Sequence, residues 1–115
     1  MSSPLSPFPE AADRFFDALE EAFETLADDH DLDWQRSGGI LTLDIGDRQW
    51  VVNTHAPREE IWLAGPGGAH HFQRDSDGVW CDTRSGGSFA VVLTEALHSA
   101  GISVRPDVLS ANGIA

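Results

Sequence analysis

Glu10, Asp13, Asp17, Glu20 or Glu21, Glu24 and Asp28 recur at three- and four-residue steps. On a helix that spacing lines carboxylates along one side as a continuous ridge. Between Pro9 and Trp34 the chain carries ten of its nineteen acids against one base, Arg14. Like charges three and four apart cost a helix a few tenths of a kcal/mol per pair. Asp28 lies in the last turn, where the helix dipole also disfavours an anion. Local stability therefore opposes the arrangement, and a cation is the candidate that offsets it. Carboxylate oxygens are hard donors, suited to iron, manganese, magnesium or calcium. Single carboxylates on one helix do not wrap an ion, and DDHDLD does not match an EF-hand loop. Binding on such a ridge is weak, exposed, poorly selective and spread over overlapping positions. The competing reading is a solvated helix face.

The other reactive side chains are less suggestive. His70 and His71 are adjacent, so on a strand they point to opposite faces and cannot chelate one ion together. His30, between Asp29 and Asp31, could add a nitrogen to the ridge, and His98 falls late in a helical segment, where a cation is mildly favoured. Cys81 alternates with Trp80 and has no histidine or second cysteine at a spacing that makes a dyad.

These groups need elements to position them. Ala12, Phe15, Phe16, Leu19, Ala22, Phe23 and Leu26 form the apolar stripe opposite the acids, which predicts a helix over about 9–28. Pro9 suits its first turn. The period then changes to two. Leu32 and Trp34 alternate with Asp31, Asp33 and Gln35, so the outward face of a first strand continues the acid set. Ser37-Gly38-Gly39 turns into Ile40–Ile45, Gly46-Asp47 into Gln49–Thr54, and His55-Ala56-Pro57 precedes EIWLAG. Pro66-Gly67-Gly68 leads into AHHFQR, and a turn from Asp75 to Gly78 into Val79–Asp82. Phe89, Val92, Leu93, Ala96 and Leu97 mark a second helix, with Ser85 or Ser88 as cap and Gly101 as stop. Residues 1–8 read as a flexible lead-in and 106–115 as a C-terminal tail whose last five residues fray, although Val104, Val108 and Leu109 are apolar enough to pack back onto the helices.

A helix, six short strands and a helix predict an α+β two-layer sandwich, both helices covering one face of an antiparallel sheet. Alternation then assigns the open face. With Trp50, Val52, Ile61, Leu63 and Phe72 inside, Val51, Asn53, His55, Trp62, His71 and Gln73 stand outside. An exposed tryptophan beside asparagine and histidine suits protein docking. The alternative is that Trp62 packs under a loop.

A formal charge of −12, with seven arginines and no lysine, opposes nucleic acid as a partner and favours cations and basic protein surfaces. Even salt adaptation would spread the acids, yet residues 35–115 hold nine acids against six arginines. One cysteine excludes an intramolecular disulfide and suits a reducing cytoplasm. No stretch approaches a membrane span, and MSSPLSPFPE lacks the marks of a signal or transit peptide.

From Pro9 to Arg105 the chain resembles the frataxin family in its short bacterial form. The resemblance rests on LEEAFETLADDHDLD, SGGILTL, VVN followed by P-x-x-x-IWLA, GPGGAHHF, and W-C-D-x-R-S-G-x-S-F. It implies a frataxin-like domain over 9–105 and a role in iron–sulfur cluster assembly. Iron, as Fe2+ or Fe3+, would bind weakly on Glu20, Glu21, Glu24, Asp28, Asp29, Asp31 and Asp33, extended by Asp13 and Asp17; other divalent cations could bind there too. The partner would be the cysteine desulfurase and scaffold complex, met through Glu20, Glu21 and Glu24 and through Asn53 and Trp62. His71 stands where some relatives carry a basic side chain. Thr25 and Ala27 stand where related bacterial chains often have acids.

The expectation is a cytoplasmic, monomeric, non-enzymatic iron-binding regulator. Two rivals are a ferroxidase or iron store built on a metal-induced oligomer, and a haem binder, for which no histidine spacing speaks.

Overall fold

The computed structural model describes residues 6–114. Helix α1 (Phe8–Ala27) starts one residue before the expected point, with Pro7 as cap and Pro9 in its first turn. Its buried face is the predicted stripe with Phe8 added. It closes where the Asp28 N–H turns back to the Thr25 carbonyl at 3.3 Å and the His30 N–H to the Leu26 carbonyl at 2.9 Å.

Six strands follow as a single antiparallel meander in sequence order: β1 (Asp33–Ser37), β2 (Ile40–Ile45), β3 (Arg48–His55), β4 (Glu60–Gly65), β5 (Gly68–Arg74) and β6 (Trp80–Asp82). A single 3-10 turn, Ala56–Arg58, joins β3 to β4. Strand β6 begins at Trp80, not Val79, because the Asp75 carboxylate takes the Val79 N–H at 3.0 Å and holds that residue in the turn. Alternation places Trp50, Val52, Ile61, Leu63 and Phe72 in the core, as the sequence pattern predicts, with Leu41 and Leu43 of β2 beside them and Ile45 partly buried against them.

Helix α2 (Phe89–Ser99) is capped by Ser88, whose hydroxyl accepts the Val91 N–H at 3.4 Å. Gly101, at φ +85°, makes the left-handed exit that a side chain would resist. Phe15, Phe72 and Phe89 knit the layers together. The Phe15–Phe89 and Phe72–Phe89 ring centroids are both 4.8 Å apart, joining α1, β5 and α2.

The two ends of the chain differ from expectation. Phe8, assigned to the lead-in, is in α1 and packs edge-on against Trp80 at 6.0 Å; residues 1–5 of that lead-in lie outside the described residues. The expected tail contains a third helix, α3 (Pro106–Ala111). Val108 and Leu109 enter the same core as α1 and α2, as their apolar character predicts, and Ile114, expected to fray, joins them. The Ile114 N–H returns to the Leu109 carbonyl at 2.8 Å, so the chain up to Ile114 is held by packing and hydrogen bonds, not frayed.

Candidate functional site

The carboxylates predicted to form a ridge do share one surface, but it divides in two. Arg36, on the α1 side of β1, reaches across to the helix. Its Nη1 lies 2.5 Å from Asp17 Oδ1 and 3.2 Å from Glu20 Oε2, and its Nη2 lies 3.4 Å from Asp13 Oδ1. The guanidinium also sits over the Phe16 ring at 5.4 Å. The Asp17 hydrogen bond, against the opposing effect of burial, raises the Arg36 pKa further, with Glu20 adding to it. The first half of the ridge thus carries its own counter-ion.

The second half does not. Glu21, Glu24, Asp28, Asp29, Asp31 and Asp33 are exposed and form no ion pair among the described residues. Asp44 extends them onto the sheet, standing opposite Asp33 in the β1–β2 register and accepting Gln49 Nε2 at 2.8 Å. Like charges opposite one another on adjacent strands are destabilising. His30 does not join this group through its Nε2, which donates to the Ser103 carbonyl at 3.1 Å. Among the described residues no three histidine, cysteine or acidic side chains are close enough to cage a metal ion. Hard, separate, solvated carboxylates suit a largely hydrated cation held by one or two oxygens at a time.

The second surface lies on the open sheet face. Ile40, Asn53, Trp62 and His71 stand in one row across β2 to β5. Trp62 is half-buried, and its ring stacks between His55 at 4.2 Å and His71 at 4.3 Å, with interplanar angles of 16° and 10°. Its Nε1–H donates to Glu60 Oε1 at 2.8 Å, and Gln73 Nε2 donates to Glu60 Oε2 at the same distance. Glu60 is only 1% exposed. Burial alone would raise its pKa, but the hydrogen bonds from Trp62 and Gln73 and the charge of Arg58 outweigh that and lower it. A buried anion therefore fixes the indole plane.

His70 and His71 face opposite ways, as adjacency requires, and His70 bonds instead to Asp82 at 2.8 Å. Cys81 is half-buried; burial and Asp75 push its thiol pKa up, away from a nucleophile. Arg36, Glu60 and Ile40 were not singled out from the sequence. Period two places Glu60 on the face of Trp62 and could have found it. Arg36 pairs across 16 to 23 residues, a tertiary contact that no local pattern carries.

A two-helix layer on a six-strand meander, with an acidic helix edge and an aromatic sheet face, defines the α–β sandwich class to which the chain is assigned. A sequence model of the frataxin-like domain matches residues 1–102. The iron-sulfur cluster assembly protein CyaY of Paracidovorax citrulli is 38% identical over 109 residues, covering 91% of this chain and 96% of that one. Its namesake from Neisseria meningitidis serogroup B is 36% identical over 96 residues, 83% of this chain and 87% of the relative. Among solved structures, the frataxin of Psychromonas ingrahamii superposes with TM-score 0.75 at 29% identity, covering 86% of this chain and 93% of that one. Trimeric frataxin from Saccharomyces cerevisiae, complexed with ferrous iron, gives 0.71 at 33% identity, covering 85% and 91%. The chain belongs to the frataxin-like family, as a member of its bacterial CyaY-like branch.

Proposed function

We propose that this protein serves iron–sulfur cluster assembly as a non-catalytic iron carrier and regulator of the cysteine desulfurase complex. The observation that carries the reading is the run of exposed, uncompensated carboxylates from Glu21 to Asp33. Iron is cargo here, held weakly as a hydrated Fe2+ or Fe3+ ion, and the other hard divalent cations compete for the same oxygens. The same surface attracts a basic patch on the desulfurase or its scaffold, while Asn53, Trp62 and His71 make the shape-specific contact. The names of the relatives and the ferrous iron in the yeast structure support this reading. We place that action in the cytoplasm; among the described residues no helix is long and apolar enough to cross a membrane.

The mechanism is electrostatic, and metal and partner share carboxylates, so each alters the affinity of the other. Reversing Glu20, Glu21 and Glu24 to lysine is expected to abolish desulfurase binding in a titration while circular dichroism stays unchanged. Unaltered affinity would overturn the docking part of the proposal. The yeast trimer favours one further reading, a metal-induced oligomer with ferroxidase activity. It requires a large species in size exclusion after aerobic iron addition, and a monomer throughout would remove it.

A further inference from the structure

Trp62 is clamped between two side chains of the one type whose charge ordinarily changes between about pH 5 and 8. The indole stacks on the His71 ring directly opposite it on β5, at 4.3 Å, and on the His55 ring diagonally across on β3, at 4.2 Å. Glu60 lies at the foot of the stack, opposite His55 in the register. Its Oε1 accepts the indole N–H at 2.8 Å, and the same oxygen has Arg58 Nε at 3.5 Å and His71 Nδ1 at 3.9 Å. Against the cost of burial, the hydrogen bonds from Trp62 and Gln73 and the charge of Arg58 hold the Glu60 pKa below the ordinary carboxylate value, so Glu60 keeps its charge where histidine loses or gains one.

Few other charges face the stack. Strand β2 presents Ile40 and Thr42 on this face, with Asp44 at the far end bonded to Gln49. Strand β3 presents Val51 and Asn53, and β6 presents Cys81 beyond Gln73. Glu59 pairs elsewhere, with Arg74 at 3.5 Å. With both imidazoles protonated, a single buried carboxylate would serve three cations: Arg58, His55 and His71. A partner that covers the stack must then strip water from charges that Glu60 cannot fully pair. Desolvation penalises the charged imidazole and spares the neutral one. The His71 side chain is 45% exposed, so a proton and a partner both reach it.

We propose that the His55–Trp62–His71 stack is a proton-operated gate on docking: the face accepts its partner with both imidazoles neutral and resists it once they are charged. The inference rests on the reading that the Trp62 row contacts the desulfurase complex. Docking then releases the protons that the histidines carry, and affinity falls about tenfold per pH unit for each proton released.

Two measurements test it. In the full chain alone, the His55 and His71 ring signals and the Trp62 indole signal are followed by NMR from about pH 8 to 5. The indole is expected to move with both rings, and an indole indifferent to them would overturn the stack as sensor. Binding to the cysteine desulfurase is then measured by calorimetry at about pH 7.5 and 6, in buffers of different protonation enthalpy. The wild type is compared with His55→Phe/His71→Phe, which keeps two flat rings and removes their protons. Wild-type affinity is expected to fall roughly tenfold or more over that interval, with protons released to the buffer on docking. Both effects are expected to vanish in the double variant. His55→Phe alone, which leaves Asn53, Trp62 and His71 in place, is expected to remove about half of the released protons, and it decides the matter where the double variant does not bind. A pH slope equal in wild type and variants, or an affinity that rises on acidification, would overturn the gate and leave the docking reading standing. No wild-type binding at any pH would overturn the docking reading itself, and the gate with it.

Discussion

At the scale of single residues, two charges decide how the surfaces behave. Arg36 occupies Asp13, Asp17 and Glu20, so in the native chain a paramagnetic cation such as Mn2+ is expected to broaden amides from Glu21 to Asp33 first. Arg36→Gln frees the other three acids. Broadening is then expected to spread toward Asp13 at lower Mn2+, with a stability loss of roughly 1 kcal/mol or less, because the partner acids are well solvated. An unchanged broadening pattern would remove Arg36 as a counter-ion. Glu60 is the second case. Its folded pKa is lowered, so its contribution is present above the ordinary carboxylate range and disappears as pH falls through the lowered value. Wild-type stability should therefore decline below about pH 4, where the unfolded carboxylate also takes up protons. Glu60→Gln should be less stable near neutrality by about 1–3 kcal/mol and lose less on acidification, as denaturant titrations across pH would register.

At the scale of elements, legibility followed the reach of the pattern. The helical stripe from Ala12 to Leu26 and the inward residues of β2 to β5 follow periods of 3.6 and 2, which burial on one face imposes locally. Helix α3 has only one and a half turns, too few for a period to show, so its sequence predicts that Val108 and Leu109 pack but not that they do so from a helix. Its punctuation was nevertheless present: Pro106 opens it, and Gly113, at φ +86°, follows its end. The site was legible to the same extent. The acid face and the outward Trp62 came from periodicity, whereas the Arg36 bridge and the histidine sandwich depend on which elements lie side by side. Because Leu109 is 1% exposed between α1 and α2, Leu109→Ala is expected to cost about 2–5 kcal/mol in chemical denaturation. A cost below about 0.5 kcal/mol would return residues 106–115 to the status of a dispensable tail.

At the scale of the whole molecule, the charge of −12 is not spread evenly, and the uneven part is where stability is given up. Glu24 and Asp28 are neighbours one helical turn apart, and Asp28 caps the negative end of α1. Asp33 and Asp44 repel across β1 and β2. Neutralising this half, as Glu24→Gln with Asp28→Asn, should raise the thermal midpoint by about 2–5 °C. Millimolar Mg2+ or Ca2+ should raise the wild-type midpoint and barely move that of the double variant, since a ligand stabilises only the state that binds it. Sodium chloride at equal ionic strength separates screening from binding. If salt alone reproduces the divalent effect, the acids act as a diffuse field; if the divalent ion exceeds it and the double variant does not respond, they act as a cation site. The fold would then be less stable at this edge because the edge is kept free for a positive charge from outside the chain.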